Sequence, residues 1–357
     1  MTINLKEKIL LKGNHALVEG AISAGCKYFF GYPITPQSEV MELFSKRMVE
    51  TNGNFLQAES EVSAINMVIG AAVAGGRVMT ASSGPGMDLF QEGIGNLHAH
   101  QLPVVIADIM RGGPGNGALH PSQQDYNQVI KGGRADQKNI VFAPWNAQEM
   151  YDFSRLAFNL ADKYRNIVMI LADNIIGQAY ETVTIDDKIQ ENNIKKDWAL
   201  TGAKNRKRNL SIAHFPDPDV YNQFHHQLQE KYKIISTKEQ RSEEYFFDEN
   251  NELIVVAYGI VARNALLAIT RLRAKGCRVG LFRPVTLFPF PVERLKEILS
   301  GNKKLLVVEM SAGQMAADIK SQIDISNLCI KPGQATAEVP KPIEIEKWIK
   351  ESSDNIK

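Results

Sequence analysis

The chain has 357 residues, 44% hydrophobic and 23% charged, with a formal net charge of +1. That is longer than one hydrophobic core usually covers, so a globular protein of two domains is expected. No long basic run points to nucleic acid or a membrane surface, and no apolar run reaches the roughly 18 residues of a spanning helix. Met1 to Lys12 carries Lys6, Glu7 and Lys8 and lacks the apolar centre of a signal peptide, so a cytoplasmic location is expected. Cys26, Cys277 and Cys329 lie far apart with no Cys-x-x-Cys pair, so neither zinc nor an iron–sulfur cluster is expected within this chain.

Residues 1–185 alternate between helical and strand-like patterns. A helix from Asn14 to Ala24 precedes an aromatic strand, Tyr28 to Tyr32. The turn Pro33 to Pro36 then opens a second helix, with Thr35 as its N-cap and Pro36 at its first position. Phe55 to Gln57 reads as a short strand and Ser60 to Ala74 as a helix rich in small residues. Val78 to Ala81, Pro103 to Ile109, Ile140 to Phe142 and Ile167 to Leu171 are short apolar runs bounded by turns or helices. Together they give a doubly wound α/β pattern, a parallel sheet covered on both faces.

Residues 186–251 read as a long crossover. Charges are dense from Asp186 to Asp197, including Asp187, Lys188 and Glu191, and Phe215-Pro216-Asp217-Pro218 punctuates the stretch. Val220 to Ile234 fits one amphipathic helix with Phe224, Leu228 and Tyr232 on a single stripe. Residues 252–357 read as a smaller α/β unit of parallel strands. Its strands are Leu253 to Ala257, Arg278 to Phe282 and Leu305 to Val308, with a helix from Gly259 to Lys275. A Pro-rich turn spans Arg283 to Pro291, Ser311-Ala312-Gly313-Gln314 opens a helix, and Pro340 to Lys357 forms a terminal helix with a frayed polar tail.

Four loops follow predicted strands and carry chemistry-bearing residues. Gly31-Tyr32-Pro33-Ile34-Thr35-Pro36 sets a hydroxyl at a helix start. Glu59-Ser60-Glu61 sets carboxylates there, where the helix dipole alone would favour them. Thr80-Ala81-Ser82-Ser83-Gly84-Pro85-Gly86 can present backbone N–H groups to a ligand, although its spacing matches neither a Walker A loop nor a dinucleotide fingerprint. Met110-Arg111-Gly112-Gly113-Pro114-Gly115-Asn116-Gly117 places one arginine where its planar fork could hold a carboxylate. Strand ends of one parallel sheet share an edge, so the four loops are expected to converge. His98, His100 and His120 show no metal-ligand spacing, and no nucleophile elbow or Cys/His pair is present.

Tyr32-Pro33-Ile34-Thr35-Pro36, Glu59-Ser60-Glu61 and the loop from Arg111 together resemble the α subunit of 2-oxoacid:ferredoxin oxidoreductases, most closely the branched-chain, 2-oxoisovalerate type. The resemblance runs nearly end to end, through Ala172-Asp173-Asn174-Ile175-Ile176-Gly177-Gln178, Trp198-Ala199-Leu200-Thr201-Gly202, Arg283-Pro284-Val285-Thr286-Leu287 and Glu309-Met310-Ser311-Ala312-Gly313-Gln314-Met315. It implies a pyrimidine-binding thiamine-diphosphate fold followed by a transketolase C-terminal-like domain. It maps onto Glu61 the glutamate that touches N1′ of the aminopyrimidine, where a carboxyl favours the imino tautomer that deprotonates the thiazolium carbon. It assigns Thr35 and Arg111 to the substrate carboxylate, and Pro33, Ile34, Ser83 and Gly84, with Glu61, to the cofactor.

The same likeness implies what lies elsewhere. Thiamine enzymes hold the diphosphate through magnesium at a Gly-Asp-Gly sequence, and this chain has none. The family puts that site and an iron–sulfur cluster in a β subunit. Further γ and ferredoxin-like δ subunits occur in such complexes, ferredoxin and coenzyme A are substrates, and the assembly is a dimer of heteromers. Two departures bear on the substrate: Arg134-Ala135-Asp136-Gln137 replaces a Gly/His-rich stretch, and His120 stands in His120-Pro121-Ser122-Gln123; both are expected near the pocket. Alternative readings are a 2-oxoglutarate or pyruvate enzyme, a non-redox thiamine-diphosphate decarboxylase subunit, or a non-catalytic scaffold subunit.

Overall fold

Every residue of Val78–Ser82, Val104–Met110 and Ile167–Asp173 is buried, as strands of a parallel sheet covered on both faces require. The computed structural model describes residues 7–186, 194–300, 303–323 and 338–353, together with the backbone of 328–332. Asp187, Lys188, Glu191 and the polar tail after Ser353 lie outside the described residues.

The chain begins β1 (Glu7–Lys12), α1 (Gly13–Ser23), β2 (Tyr28–Gly31), α2 (Ser38–Glu50), β3 (Asn54–Gln57), α3 (Glu61–Val73), β4 (Val78–Ser82), α4 (Pro85–Ala99) and β5 (Val104–Met110). It continues α5 (Tyr126–Lys131), β6 (Ile140–Phe142), α6 (Ala147–Tyr164), β7 (Ile167–Asp173), α7 (Asn174–Gln178), β8 (Tyr180–Ile185) and α8 (Pro218–Lys238). The remainder is β9 (Ser242–Tyr245), β10 (Leu253–Val256), α9 (Gly259–Arg273), β11 (Val279–Pro284), β12 (Thr286–Phe288), α10 (Val292–Leu299), β13 (Lys304–Glu309), α11 (Gln314–Gln322), β14 (Leu328–Pro332) and α12 (Pro342–Ser352).

Seven strands form the larger sheet in the order β12-β6-β7-β5-β4-β2-β3, parallel except for β12. Side chains alternate across it. Val104, Ile106 and Met110 pack with Ile65 and Val68 of α3 and Met87 and Phe90 of α4. Val105, Ala107 and Ile109 pack on the other face with Leu17, Phe44 and Met150 of α1, α2 and α6. The second sheet runs β14-β13-β10-β11-β9. Its inner face, with Ile254, Val256 and Phe282, joins the same core as α3 and α4, while α9 and α12 cover its outer face.

Three expectations are corrected. Thr35 is not an N-cap: α2 starts at Ser38 with Gln37 in the cap position, and Gln37 N–H bonds back to the Ile34 carbonyl at 2.9 Å, closing a turn ahead of the helix. The smaller unit is not purely parallel, because β9 joins β11 antiparallel. The stretch read as a Pro-rich turn contains β12, which crosses to the larger sheet and pairs antiparallel with β6. The helix expected in the crossover is present as α8, with Leu228 and Tyr232 buried and Phe224 packed beside them on the larger unit.

Candidate active site

β3, β2, β4 and β5 are parallel neighbours in that order, so the four loops leave one edge of one sheet. α3 begins directly at this edge. The Ser60 hydroxyl accepts from Ser63 N–H as its N-cap, and Glu59 accepts from the Ser63 hydroxyl at 2.9 Å. Glu61, the first helical residue, is left for other work. It is 5% exposed, and its side chain makes no hydrogen bond or ion pair among the described residues. Gly86, in the first turn of α4, gives it room: a Cβ there would lie 2.5 Å from Glu61 Oε1 and would also collide with Ser82 Oγ.

Arg111 follows β5 and is also buried. Its Nη1 donates to the Thr35 carbonyl at 2.9 Å, while its Nε has no partner. The side chain lies along Gly84, where a Cβ would stand 3.4 Å from Arg111 Cγ and Nε. Gly84 itself has φ 46°, in the left-handed region glycine favours. The loop beyond is ordered by paired hydrogen bonds between Gly112 and Ala118 and by Gly113 N–H donating to Gln124 Oε1 at 2.7 Å.

Thr35, Glu61, Ser83, Gly84 and Arg111 therefore sit at one sheet edge, where Pro33 and Thr35 are exposed and Ile34 is partly buried. Behind them lies a buried polar cluster, of which the sequence motifs mark the Thr80 to Ser83 side but not Asp108 or Asp125. Among the described residues the hydroxyls of Thr80, Ser82 and Ser83 and both oxygens of Asp108 have no hydrogen-bond partner. Burial, and then the neighbouring Asp125 carboxylate, hold the Asp108 carboxyl well above the usual range. Burial pushes Asp125 up to about 6 against the opposing pull of two backbone N–H groups.

The smaller unit closes one side. Gln123 Nε2 donates to the Tyr258 carbonyl at 3.0 Å and its Oε1 accepts from Met310 N–H at 3.0 Å. Gln314 bridges Gln124 and Asn127 in the same seam. A cavity of about 320 Å³ opens there, lined among others by Gly84, Asp88, Gly113, Asp125, Gln128 and Gln314.

Arg134 to Gln137 do not join the site, contrary to expectation. α5 carries the chain away from this edge, Gln137 bonds the Gly132 carbonyl, and Asp136 meets His225 of α8 at 3.2 Å. His120 is exposed in the loop beyond Arg111. His98 is enclosed between Asn139 and Tyr232, away from the site.

Residues 19–246 match the family described as pyruvate flavodoxin/ferredoxin oxidoreductase, thiamine diphosphate-binding, and residues 251–339 match pyruvate:ferredoxin oxidoreductase core domain II. The chain is 50% identical over 312 residues to ketoisovalerate oxidoreductase subunit VorB of Methanothermobacter marburgensis, covering 87% of this chain and 88% of that one. It is 35% identical to 2-oxoglutarate synthase subunit KorA of Methanocaldococcus jannaschii, covering 95% and 98%. In structure it is similar to 2-oxoglutarate:ferredoxin oxidoreductase from Magnetococcus marinus, with a TM-score of 0.86 at 26% identity. That match covers 97% of this chain, and the chain spans 65% of that one. A split-gene transketolase, 16% identical with a TM-score of 0.58 over 95% of this chain and 96% of its own, shares the fold. The chain belongs to the pyruvate flavodoxin/ferredoxin oxidoreductase family, as a thiamine diphosphate-binding subunit of the 2-oxoacid:ferredoxin oxidoreductases.

Proposed function

We propose that this chain carries the proton-handling carboxylate and the substrate anchor of a 2-oxoacid:ferredoxin oxidoreductase whose substrate is 2-oxoisovalerate or a close branched-chain analogue. The reaction is oxidative decarboxylation: the 2-oxo acid and coenzyme A give acyl-CoA and carbon dioxide, and two electrons pass to ferredoxin. The observation that carries the reading is Glu61, a nearly enclosed carboxylate with no side-chain partner among the described residues, which lies against Gly86 of the same loop whose Gly84 lies against Arg111.

The residues fit the cofactor's aminopyrimidine. A carboxylate in a nearly enclosed position with no protein partner is free to be completed by a ligand's hydrogen-bonding group. Gly86 leaves that face open, and the orphaned Ser82 and Ser83 hydroxyls add hydrogen-bonding capacity beside it. When bound, thiamine diphosphate supplies the electron sink into which the bond to the departing carbon dioxide cleaves. Glu61 holds a proton at the pyrimidine nitrogen N1′. Arg111 pairs with the substrate carboxylate through its guanidinium fork, and the Thr35 hydroxyl adds a further hydrogen bond to that group. Pro33, Ile34 and Gly84 form the cofactor-facing backbone of the two flanking loops.

The remaining parts belong to partner chains. The sequence holds no Gly-Asp-Gly, and no group of three His, Cys, Asp or Glu side chains among the described residues could hold a metal ion. Magnesium and iron–sulfur clusters are accordingly assigned to a β subunit, with γ and ferredoxin-like δ subunits as further members and a dimer of heteromers as the assembly. No described helix is long and apolar enough to cross a membrane; a cytoplasmic location is part of the proposal.

The branched-chain substrate is favoured by the relatives: two at 50% and 48% identity are named ketoisovalerate oxidoreductase subunits, while those named 2-oxoglutarate synthase subunits stand at 33% to 35%. The test is the native complex supplied with 2-oxoisovalerate, 2-oxoglutarate or pyruvate, each with coenzyme A and a dye acceptor. The highest kcat/KM is expected for 2-oxoisovalerate. A higher value for 2-oxoglutarate or pyruvate overturns the substrate, and no turnover of any 2-oxo acid overturns the activity.

A further inference from the structure

One carboxylate oxygen ties two of the site's loops together. Asp125 Oδ2 accepts from Gly84 N–H at 3.3 Å and from Arg111 N–H at 3.4 Å. Gly84 leads into α4, Arg111 follows β5 and Asp125 precedes α5, so three elements meet on this atom. Both contacts are long for a hydrogen bond, yet both point at one acceptor that is 7% exposed. The Arg111 side chain depends on the same register, since it lies along Gly84 before reaching the Thr35 carbonyl. Nothing in the local sequence His120-Pro121-Ser122-Gln123-Gln124-Asp125 marks this residue; the fold alone brings it under the arginine.

We propose that Asp125 is a positioning residue: it holds the Arg111 loop against the Gly84 loop and so sets the affinity for the substrate carboxylate rather than the rate of the chemical step. The inference rests on the proposed function, in which Arg111 binds that carboxylate. Asp125 touches neither substrate nor cofactor in this account and acts through the two backbone N–H groups.

Its surroundings add a pH dependence. Asp88 on α4 faces it with negative charge and Arg111 with positive charge, Asp108 on β5 lies beside it with its own carboxyl held well above the usual range, and the Tyr258 hydroxyl approaches from the smaller unit. Burial is the largest influence and carries Asp125 to about 6. Above that pH the carboxylate is ionised and accepts both N–H groups strongly; below it a proton weakens the acceptor. KM for the 2-oxo acid should therefore rise as pH falls through about 6. Asparagine keeps an acceptor oxygen but cannot titrate, so Asp125→Asn separates the contact from its ionisation.

The experiment is steady-state kinetics of the assembled complex with 2-oxoisovalerate, from pH 5.5 to 8 as chosen conditions, for wild type, Asp125→Ala and Asp125→Asn. Loss of two backbone contacts should raise KM of Asp125→Ala about tenfold, with kcat within about twofold of wild type. Asp125→Asn should recover most of the affinity and show a flat KM across the pH range. An unchanged or lower KM in Asp125→Ala overturns the proposal, as does a loss confined to kcat. If the alanine variant fails to assemble, the asparagine variant decides alone: a KM that still rises below about pH 6 overturns the role. A wild-type complex that turns over no 2-oxo acid removes the functional reading itself, an outcome distinct from any of these.

Discussion

Gly86 and Glu61 occupy one space: a Cβ on Gly86 would stand 2.5 Å from Glu61 Oε1. The glycine is helical, so its backbone does not require it; the Glu61 carboxylate and the Ser82 hydroxyl, 2.0 Å from the same Cβ, do. Gly86→Ala should displace Glu61 and cost about 1–3 kcal/mol of stability through overpacking. Its larger effect should be on turnover, in the direction expected for Glu61→Gln. Kinetics and thermal denaturation of the variant complex check this; full activity would show that Glu61 does not need its present position.

Among the described residues Arg111 Nε has no partner, and the side chain makes one hydrogen bond, to the Thr35 carbonyl at 2.9 Å. A lysine would keep the charge but lose the planar fork. Arg111→Lys should raise KM for the 2-oxo acid about 10- to 100-fold, the scale of a charge-assisted hydrogen bond, with a smaller effect on kcat. A wild-type KM in this variant would remove Arg111 from the substrate carboxylate.

His98 gives a stability prediction away from the site. Its Nε2 meets Asn139 Oδ1 at 2.8 Å and its Nδ1 meets the Tyr232 hydroxyl at 3.0 Å, which joins α4 to α8 through a neutral ring. Burial pushes it down to about 4. The unfolded ring takes up a proton near pH 6.5, and the folded ring refuses it until about pH 4. Stability from this group is therefore complete above about pH 6.5 and is lost as pH falls toward 4, by up to about 3 kcal/mol. Denaturant titrations at neutral and mildly acidic pH should show that loss in wild type and a smaller one in His98→Gln. Equal pH dependence in both would contradict the assignment.

The convergence of four loops could be read from the sequence because each local signal agreed with the sheet. Val78–Ser82 and Val104–Met110 are mostly apolar runs, broken by Thr80, Ser82 and Asp108, and glycines or a helix start follow each strand. The strands hidden in the chain's second half had no such signal. β9 is Ser-Glu-Glu-Tyr, and its charges are consumed by partners far along the chain: Glu243 pairs with Arg283 and Glu244 with Arg294, both at 2.7 Å. β12 lies among Pro284, Pro289 and Pro291 and pairs only across units. Thr35 failed as a cap because the turn through Gln37 delays the helix by two residues. Asp108 and Asp125 escaped notice because a buried carboxylate acquires its role from tertiary neighbours, and a single sequence does not list those.

The central claim is that Glu61 handles the proton at the cofactor's pyrimidine. It is tested most directly by 2-oxoisovalerate-dependent ferredoxin reduction in a complex carrying Glu61→Gln, with assembly and thiamine diphosphate content measured on the same preparation. The account predicts intact assembly, retained cofactor and a rate lowered by about 10²- to 10⁴-fold, the usual contribution of a positioned acid or base. A wild-type rate from the cofactor-loaded variant would contradict it.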